Sequence, residues 1–229
     1  SGFQGDVPEQ LCYELSFSYP EQFSGARTLL HFGAVDQIAE VWLNEQFLGK
    51  HEGGYLPFCF DISDVVRKDS TNQLKVLVTD TLDPSYPYGK QTKTPGGMWY
   101  TPVSGIWQTV WVESVPETYI SKLNIENRGT CVTIDIGKDT PGTVTVEGLG
   151  TYALEGGKVT IKAENPHLWS PEDPYLYDFT IKTEADQVDS YFALRTIEAK
   201  TVKGIPRLCL NGKPYFFHGL LDQGYWPDG

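Results

Sequence analysis

An all-β protein built from successive sandwiches is the fold this sequence predicts, and three observations predict it. Short segments of alternating apolar and polar residues recur along the chain, the period-two signature of strands with one buried face. Turn residues separate these segments, drawn from 23 glycines and 15 prolines. Up to residue 200 there is no strand–helix–strand alternation of the kind that builds a parallel α/β sheet. At 229 residues, 40% apolar and 13% aromatic, the chain can supply a core to two small β domains or to one larger unit.

The first half reads as follows. Residues 10–19 alternate and predict a strand that ends at Pro20. Thr28–Gly33 and Ala39–Leu43 predict two more. Asn44-Glu45-Gln46 turns the chain into Phe47-Leu48-Gly49, a hairpin. Gly53–Pro57 is a turn into Phe58–Ile62. Ser63–Arg67 has the makings of one helical turn with Ser63 as its N-cap. Asn72–Asp80 is a clear strand. The polar segment Thr81–Gly97, rich in Pro, Tyr, Gly and Lys, runs seventeen residues without a strand pattern. Loops of that length in a small domain are often functional.

Trp99–Glu113 is the densest aromatic stretch, with three tryptophans. From Ile106 the side chains alternate: Ile106, Gln108, Val110 and Val112 on one face, Trp107, Thr109, Trp111 and Glu113 on the other. The pattern predicts a closing strand with Trp107 and Trp111 in the core. Trp99 and Tyr100, at the loop end, are the residues expected to face a ligand or a domain interface.

Pro116 marks a boundary. Beyond it, Tyr119–Arg128, Thr130–Gly137, Gly142–Glu147, Lys158–Ala163, Tyr175–Glu184 and Val188–Arg195 are short strand patterns at regular spacing, as in an Ig-like sandwich. Val202–Pro214 predicts a hairpin with Asn211-Gly212 at its tip. Tyr215–Leu221 is a nearly continuous apolar run, which suits a strand buried on both faces in a parallel sheet or barrel. Parallel neighbours require crossovers of a dozen residues or more. The residues after 221 do not provide them, so the chain is expected to be a piece of a longer protein.

The formal net charge of −12 sets up a field that repels nucleic acid and anionic membranes. No run of eighteen apolar residues exists to span a bilayer. Cys12, Cys59, Cys131 and Cys209 are widely spaced, without C-x-x-C or metal-ligand spacing, and are expected to be buried free thiols. No metal and no cofactor is predicted. Ser1-Gly2-Phe3 reads as a cut point behind which a leader could have stood. The compartment therefore stays open between cytoplasmic and periplasmic or secreted.

A search for catalytic constellations returns turn chemistry. Glu172 and Asp173 are adjacent in a Pro-flanked turn, where their side chains diverge. Asp61, Asp64, Asp80 and Asp83 sit at strand ends, where Asp accepts backbone N–H bonds. His31, His51, His167 and His218 are scattered, with no Ser-His-Asp arrangement. No Gly-rich phosphate loop opens a helix.

Asp36–Asn44, Phe47–Phe58 and Phe60-Asp61-Ile62 together resemble the N-terminal sugar-binding jelly-roll domain of glycoside hydrolase family 2, which holds β-galactosidases, β-glucuronidases and β-mannosidases. Ser104–Glu113 is similar to the family's signature at the end of that domain. Leu168-Trp-Ser-Pro-Glu-Asp-Pro-Tyr-Leu-Tyr177 and Phe192–Glu198 resemble its Ig-like second domain, and Leu210–Gly219 resembles the start of its TIM barrel. Singly these motifs are weak, but they stand in the family's order along nearly the whole chain. The resemblance implies a jelly roll over 1–115, an Ig-like sandwich over 116–199, and a hairpin with a stub of the first barrel strand over 200–229.

It also implies a retaining glycosidase as parent, acting on a β-linked carbohydrate through two carboxyl groups about 5–5.5 Å apart. In the family both catalytic Glu residues lie on later barrel strands. No catalytic residue is therefore assigned here, and the chain alone is expected to be inactive. Substrate contacts in the intact parent are expected at two places. One is the loop up to Trp99 and Tyr100, with Tyr86, Tyr88 and Lys90 nearby. β-Galactosidases can carry an Asp just before the signature, whereas this chain has Gly96-Gly97-Met98-Trp99. The other is Asp222, Gln223 and Trp226, at the C-terminal end of the barrel strand. Gln223 stands where a β-galactosidase has a substrate-contacting His, which leaves the sugar preference open. Family members often associate through these sandwiches, so a homo-oligomeric parent is compatible. Two other readings are a stand-alone carbohydrate-binding module and a purely structural tandem sandwich. Against both stands the tail, because an unpaired apolar strand is an aggregation hazard; binding of a sugar by the isolated chain is not expected.

Overall fold

The structure, a computed structural model, describes residues 8–94 and 96–221, and every regular element among them is a β-strand. The chain divides into two compact units between Glu117 and Thr118.

The first unit contains β1 (Gln10–Phe17), β2 (Arg27–Phe32), β3 (Val35–Asp36), β4 (Ile38–Leu43), β5 (Gln46–Glu52), β6 (Phe58–Asp61), β7 (Asn72–Thr79), β8 (Gly105–Ile106) and β9 (Val110–Val115). They form an antiparallel sheet in the order β1-β7-β4-β5, a second in the order β6-β2-β9, and a short β3-β8 ladder. Alternation drives the assembly. In β4 and β7 every second residue is buried. Val41, Leu43, Val76 and Val78 from one sheet meet Leu30 and Phe32 from the other in a common core. Burying a Leu or Phe side chain is worth about 1.5–3 kcal/mol, so these positions fix which way each strand faces. The hairpin after β4 is a two-residue turn with Asn44 at φ 51° and Glu45 at φ 70°, the mirror-image geometry that matches strand twist.

The second unit contains β10 (Asn124–Arg128), β11 (Cys131–Asp135), β12 (Gly142–Val146), β13 (Gly150–Leu154), β14 (Lys158–Lys162), β15 (Tyr177–Thr183), β16 (Gln187–Phe192), β17 (Ile197–Val202), β18 (Ile205–Leu210) and β19 (Lys213–Pro214). Sheet β10-β11-β14 and sheet β13-β12-β15-β16 close over Val132, Ile134, Ile161, Val144, Phe179, Ile181 and Phe192. Strands β17, β18 and β19 form a separate meander.

Several sequence expectations are corrected. Ser63–Arg67 is a turn and not a helix. The N–H groups of Val65 and Val66 both bond the Ile62 carbonyl. The Ser63 hydroxyl is drawn away from capping: it donates to Asp61 and accepts the Thr28 N–H. The strand foreseen from Ile106 to Glu113 is interrupted at 107–109. The N–H groups of Trp107 and Gln108 share the single carbonyl of Ala34, two residues opposite one, as in a β-bulge. The bulge re-aims Trp107, which is 54% exposed, and Trp111 is 43% exposed; neither belongs to the core. Tyr215–Leu221 forms no ladder. The Tyr215 N–H bonds the Leu208 carbonyl at 3.0 Å; beyond it no strand pairs with the run among the described residues, and Phe216, Leu220 and Leu221 stand exposed. The four thiols are free and lie in strands, but only Cys209 is buried; Cys12 and Cys59 are exposed and Cys131 is intermediate. The Cys12 and Cys59 positions alternate with core-facing neighbours and so point outward.

Candidate functional site

The long loop leaves β7 through Asp80, which is buried at 8% exposure. One carboxylate oxygen of Asp80 accepts the Leu82 N–H at 3.0 Å, and the other accepts the Ser104 hydroxyl at 2.7 Å. Asp80 thereby ties the start of the loop to its end. Asp36 lies against it from β3. Register explains the meeting: Ile38 pairs with Thr79, so the residues just outside that pair converge. Burial, reinforced by the Asp80 charge, pushes the Asp36 carboxyl from 3.8 up to about 6. Gly54 closes over it, since a β-carbon there would stand 2.4 Å from Asp36 Oδ1. Sequence reading saw Asp80 as turn chemistry, which it is, and did not single out Asp36. The usable signal was register: two carboxylates at the ends of paired strands.

The loop braces itself. Tyr100 and the Lys90–Thr92 backbone exchange bonds at 2.9 and 3.0 Å. The Gln91 side chain accepts the Val103 N–H at 2.6 Å and donates to the Tyr88 carbonyl at 3.0 Å. The Tyr86 hydroxyl donates to Glu52 at 3.0 Å, whose other oxygen meets Lys50 at 2.5 Å. The Lys50 ammonium holds Glu52 below the usual carboxylate range, and the Glu52 carboxylate pushes the Tyr86 phenol upward. A tight turn, closed by the Trp99 N–H on the Gly96 carbonyl at 3.1 Å, then presents Met98, Trp99 and Val103 to solvent. Trp107 flanks the β8 end: its indole N–H donates to the Gly54 carbonyl at 2.7 Å, with Tyr55 edge-on.

Of the residues predicted from sequence, Trp99 and Tyr100 therefore sit together on an exposed, internally braced turn. Asp222, Gln223 and Trp226 lie outside the described residues. Four other carboxylates weighed from sequence, Glu172, Asp173, Asp61 and Asp83, are engaged structurally. Glu172 accepts the Tyr215 hydroxyl at 2.8 Å, and Asp173 meets His167 at 2.6 Å, so these neighbours do diverge. Asp61 and Asp83 accept the N–H two residues on.

Two tandem β-sandwich units, the first with a long aromatic loop braced against it, make the chain a modular all-β protein. The family profile for "Glycosyl hydrolases family 2, sugar binding domain" matches residues 3–116, and that for "Glycosyl hydrolases family 2" matches residues 116–195. The chain belongs to glycosyl hydrolase family 2. Among curated relatives it is 26% identical to a β-galactosidase of Thermoanaerobacter pseudethanolicus, over 94% of this chain and 32% of that protein. It is 29% identical to the β-glucuronidase of Felis catus, over 91% of this chain and 38% of that protein. A solved β-glucuronidase from Ruminococcus gnavus in complex with D-glucaro-d-lactam superposes with a TM-score of 0.71 at 22% identity, over 91% of this chain and 39% of that one; this likeness is one of fold. The chain thus spans about a third to two-fifths of the length of such relatives.

Proposed function

We propose that the chain is the N-terminal, non-catalytic portion of a retaining enzyme that hydrolyses β-linked glycosides of the β-galactosidase or β-glucuronidase kind. The observation that carries this reading is the pair of family 2 domain matches, in order and contiguous at residue 116. In this reading residues 1–115 are the jelly roll, 116–199 the Ig-like sandwich and 200–229 the approach to the barrel. Both catalytic carboxylates would belong to barrel strands that this sequence does not contain.

The state of Asp36 and Asp80 supports assigning no catalysis to this chain. A glycosidase pair needs one carboxyl group to protonate the leaving oxygen and another free to attack. Here both oxygens of Asp80 are occupied by Leu82 and Ser104, and Asp36 is walled in by Gly54. Asp80 anchors the loop. Trp99 and Tyr100 on that loop, with Asp222, Gln223 and Trp226, are offered as substrate-contacting residues of the intact enzyme. Sugar rings present C–H faces that pack on aromatic planes while their hydroxyls seek polar partners.

The test compares this chain with the protein encoded by the complete native reading frame on a panel of nitrophenyl β-glycosides. Turnover by the complete protein, and none by residues 1–229, is the expected result. Turnover by the 229-residue chain, or a reading frame that ends near residue 229, would overturn the assignment.

A further inference from the structure

Strand β1 stands at the end of its sheet, with β7 on one side and no strand on the other among the described residues. Two bonds fix which of its backbone groups are already engaged. The Asp80 N–H donates to the Glu9 carbonyl at 3.0 Å, and the Asn44 N–H donates to the Gln73 carbonyl at 2.9 Å. Bonded and unbonded pairs alternate along an antiparallel ladder. With Gln10 opposite Thr79 and Leu43 opposite Leu74, the even-numbered residues of β7 therefore bond β1 and the odd-numbered ones bond β4. On β1 the groups turned to β7 are those of Leu11, Tyr13, Leu15 and Phe17. The N–H and C=O groups of Gln10, Cys12, Glu14 and Ser16 point to the open edge. The Ser16 hydroxyl and the Gln10 amide reach away from that edge, to Gln73 at 2.9 Å and Thr79 at 3.4 Å. Leu11, Tyr13 and Phe17 pack against the first core. Leu15 shares their face but is 59% exposed, an apolar side chain overhanging the rim. The other edges of this unit are blunted or short. Strand β5 carries the Lys50–Glu52 ion pair and a register shift beside Val41 and Trp42, devices that keep an edge from pairing. On β9, Gly25 covers Ser114, to whose hydroxyl its N–H donates at 2.8 Å, and Pro116 has no N–H to offer. Strand β6 has four residues. Strand β1 runs eight residues in unbroken register with no Lys or Pro, and Glu14 is its one charge.

We propose that the β1 edge is a self-association surface, and that its occupant is the β1 strand of a second copy of this chain, paired antiparallel about a two-fold axis. The arrangement is closed, because each edge covers the other and leaves none to recruit a third copy. Alternation also selects the register. Opposed residues share a face of the sheet, so one residue must stand opposite its own copy. With Glu14 in that place two carboxylates lie side by side, which is destabilising, and the open groups of Gln10 are left over. With Cys12 there, those of Ser16 are left over. With Tyr13 there, Gln10 pairs with Ser16 and Cys12 with Glu14 in both directions, and every open N–H and C=O finds a partner. The same register sets Leu15 of each copy against Leu11 of the other and covers the exposed rim. The two Glu14 residues then stand diagonally, about 7–8 Å apart, where salt screens their repulsion. The inference does not rest on the hydrolase reading: it uses this chain's own backbone, and its test measures association without turnover.

The test is sedimentation equilibrium of the 229-residue chain, joined to backbone hydrogen exchange read residue by residue at low and high protein concentration. A monomer–dimer equilibrium with a dissociation constant on the order of 0.1 mM is expected, the weak end of specific association for so narrow an interface. At about ten times that concentration about a fifth of the chains remain monomeric, so the N–H groups of Gln10, Cys12, Glu14 and Ser16 should exchange about fivefold more slowly than in dilute solution. Those of Leu11, Tyr13 and Leu15, already bonded to β7, should gain no such protection. Leu15→Lys puts a charge on a rim that is exposed in the single chain, and should weaken association about tenfold or more. Cys12→Pro removes one open N–H per copy, spares the bonds to β7, and should abolish association. Added salt should strengthen it, because the copies repel through a net charge of −12 each. If Cys12→Pro does not fold, Leu15→Lys and the exchange pattern decide. The proposal is overturned by a chain that stays monomeric up to about 1 mM, some ten times the expected constant. Association that Leu15→Lys leaves unchanged would overturn it too. So would association that Phe216→Ser abolishes while the β1 amides gain no protection, because the apolar run after β19 would then be the interface.

Discussion

Gly105 and Tyr13 are packed so closely that a β-carbon on Gly105 would stand 2.1 Å from the Tyr13 hydroxyl oxygen. The same glycine has φ 105°, in a region L side chains avoid. Beside it the Tyr13 hydroxyl accepts the Ile106 N–H at 3.3 Å, so β8 is registered on β1 through this contact. Gly105→Ala should combine a backbone penalty with a clash and cost about 2–4 kcal/mol. Urea denaturation is the measurement; a loss under about 0.5 kcal/mol, the usual surface range, would show that the contact gives way easily.

Asp36 should make stability fall as pH rises. Its folded carboxyl titrates at about 6 and its ordinary value is 3.8, so between those values the unfolded chain has released a proton that the folded chain keeps. The contribution is fully present below about pH 4 and is lost by the time pH has passed about 6. A shift of this size corresponds to at most about 3 kcal/mol, and partial solvation reduces it to roughly 1–2. Asp36→Asn should therefore raise stability at pH 7.5 while changing little at pH 4, relative to the parent chain. Denaturation midpoints of the two proteins at both pH values check this, and equal differences at the two would contradict it.

Glu45 occupies a turn position that strongly favours glycine. With Asn44 at φ 51° and Glu45 at φ 70°, an Asn-Gly pair would suit the turn better. Glu45→Gly should stabilise the first unit by about 0.5–1 kcal/mol, since strain is relieved at a site any glycine can adopt. A thermal melt reads it directly, and a lower midpoint would mean that the carboxylate makes a compensating interaction.

Asn72 is fully buried and closes a ring of bonds. It accepts from the Arg67 N–H and the Asn44 amide and donates to the Arg67 carbonyl, each at 2.8 Å. Asn72→Ala strands these partners and should cost about 2–4 kcal/mol. Asn44→Ala should cost less, because the Asn44 site is less enclosed, and the double variant should be less than additive, since the two side chains share a bond.

Much of this was legible before any coordinates. Alternation located β1, β2, β4, β7, β12, β14, β15 and β16, because a residue period of two and one buried face leave little choice. Asn211-Gly212 announced its turn by composition. Lys203-Gly204, equally a turn with positive φ at both residues, was hidden because lysine carries no turn signal. Strand β13 went unseen because Gly150-Thr151-Tyr152-Ala153-Leu154 has too weak an apolar pattern, and it is defined by its partner β12. The tryptophans misled most. Periodicity shows that Trp107 and Trp111 share a face but not which face meets the core, and the bulge opposite Ala34 then separates them. At the candidate site the loop and its exposed Trp99 were visible in composition. The Asp36–Asp80 meeting was not, since it depends on strand register alone.

Cys12 and Cys59 lie on different sheets of the first sandwich, both pointing outward. Facing sheets in such a sandwich are about 10 Å apart. The protein thus carries its own ruler. With the partly exposed Cys131 replaced by Ser, two small spin labels on Cys12 and Cys59 would report the thickness of the sandwich as it loosens in denaturant, and Cys209, buried in β18, would stay unlabelled until the second unit opens.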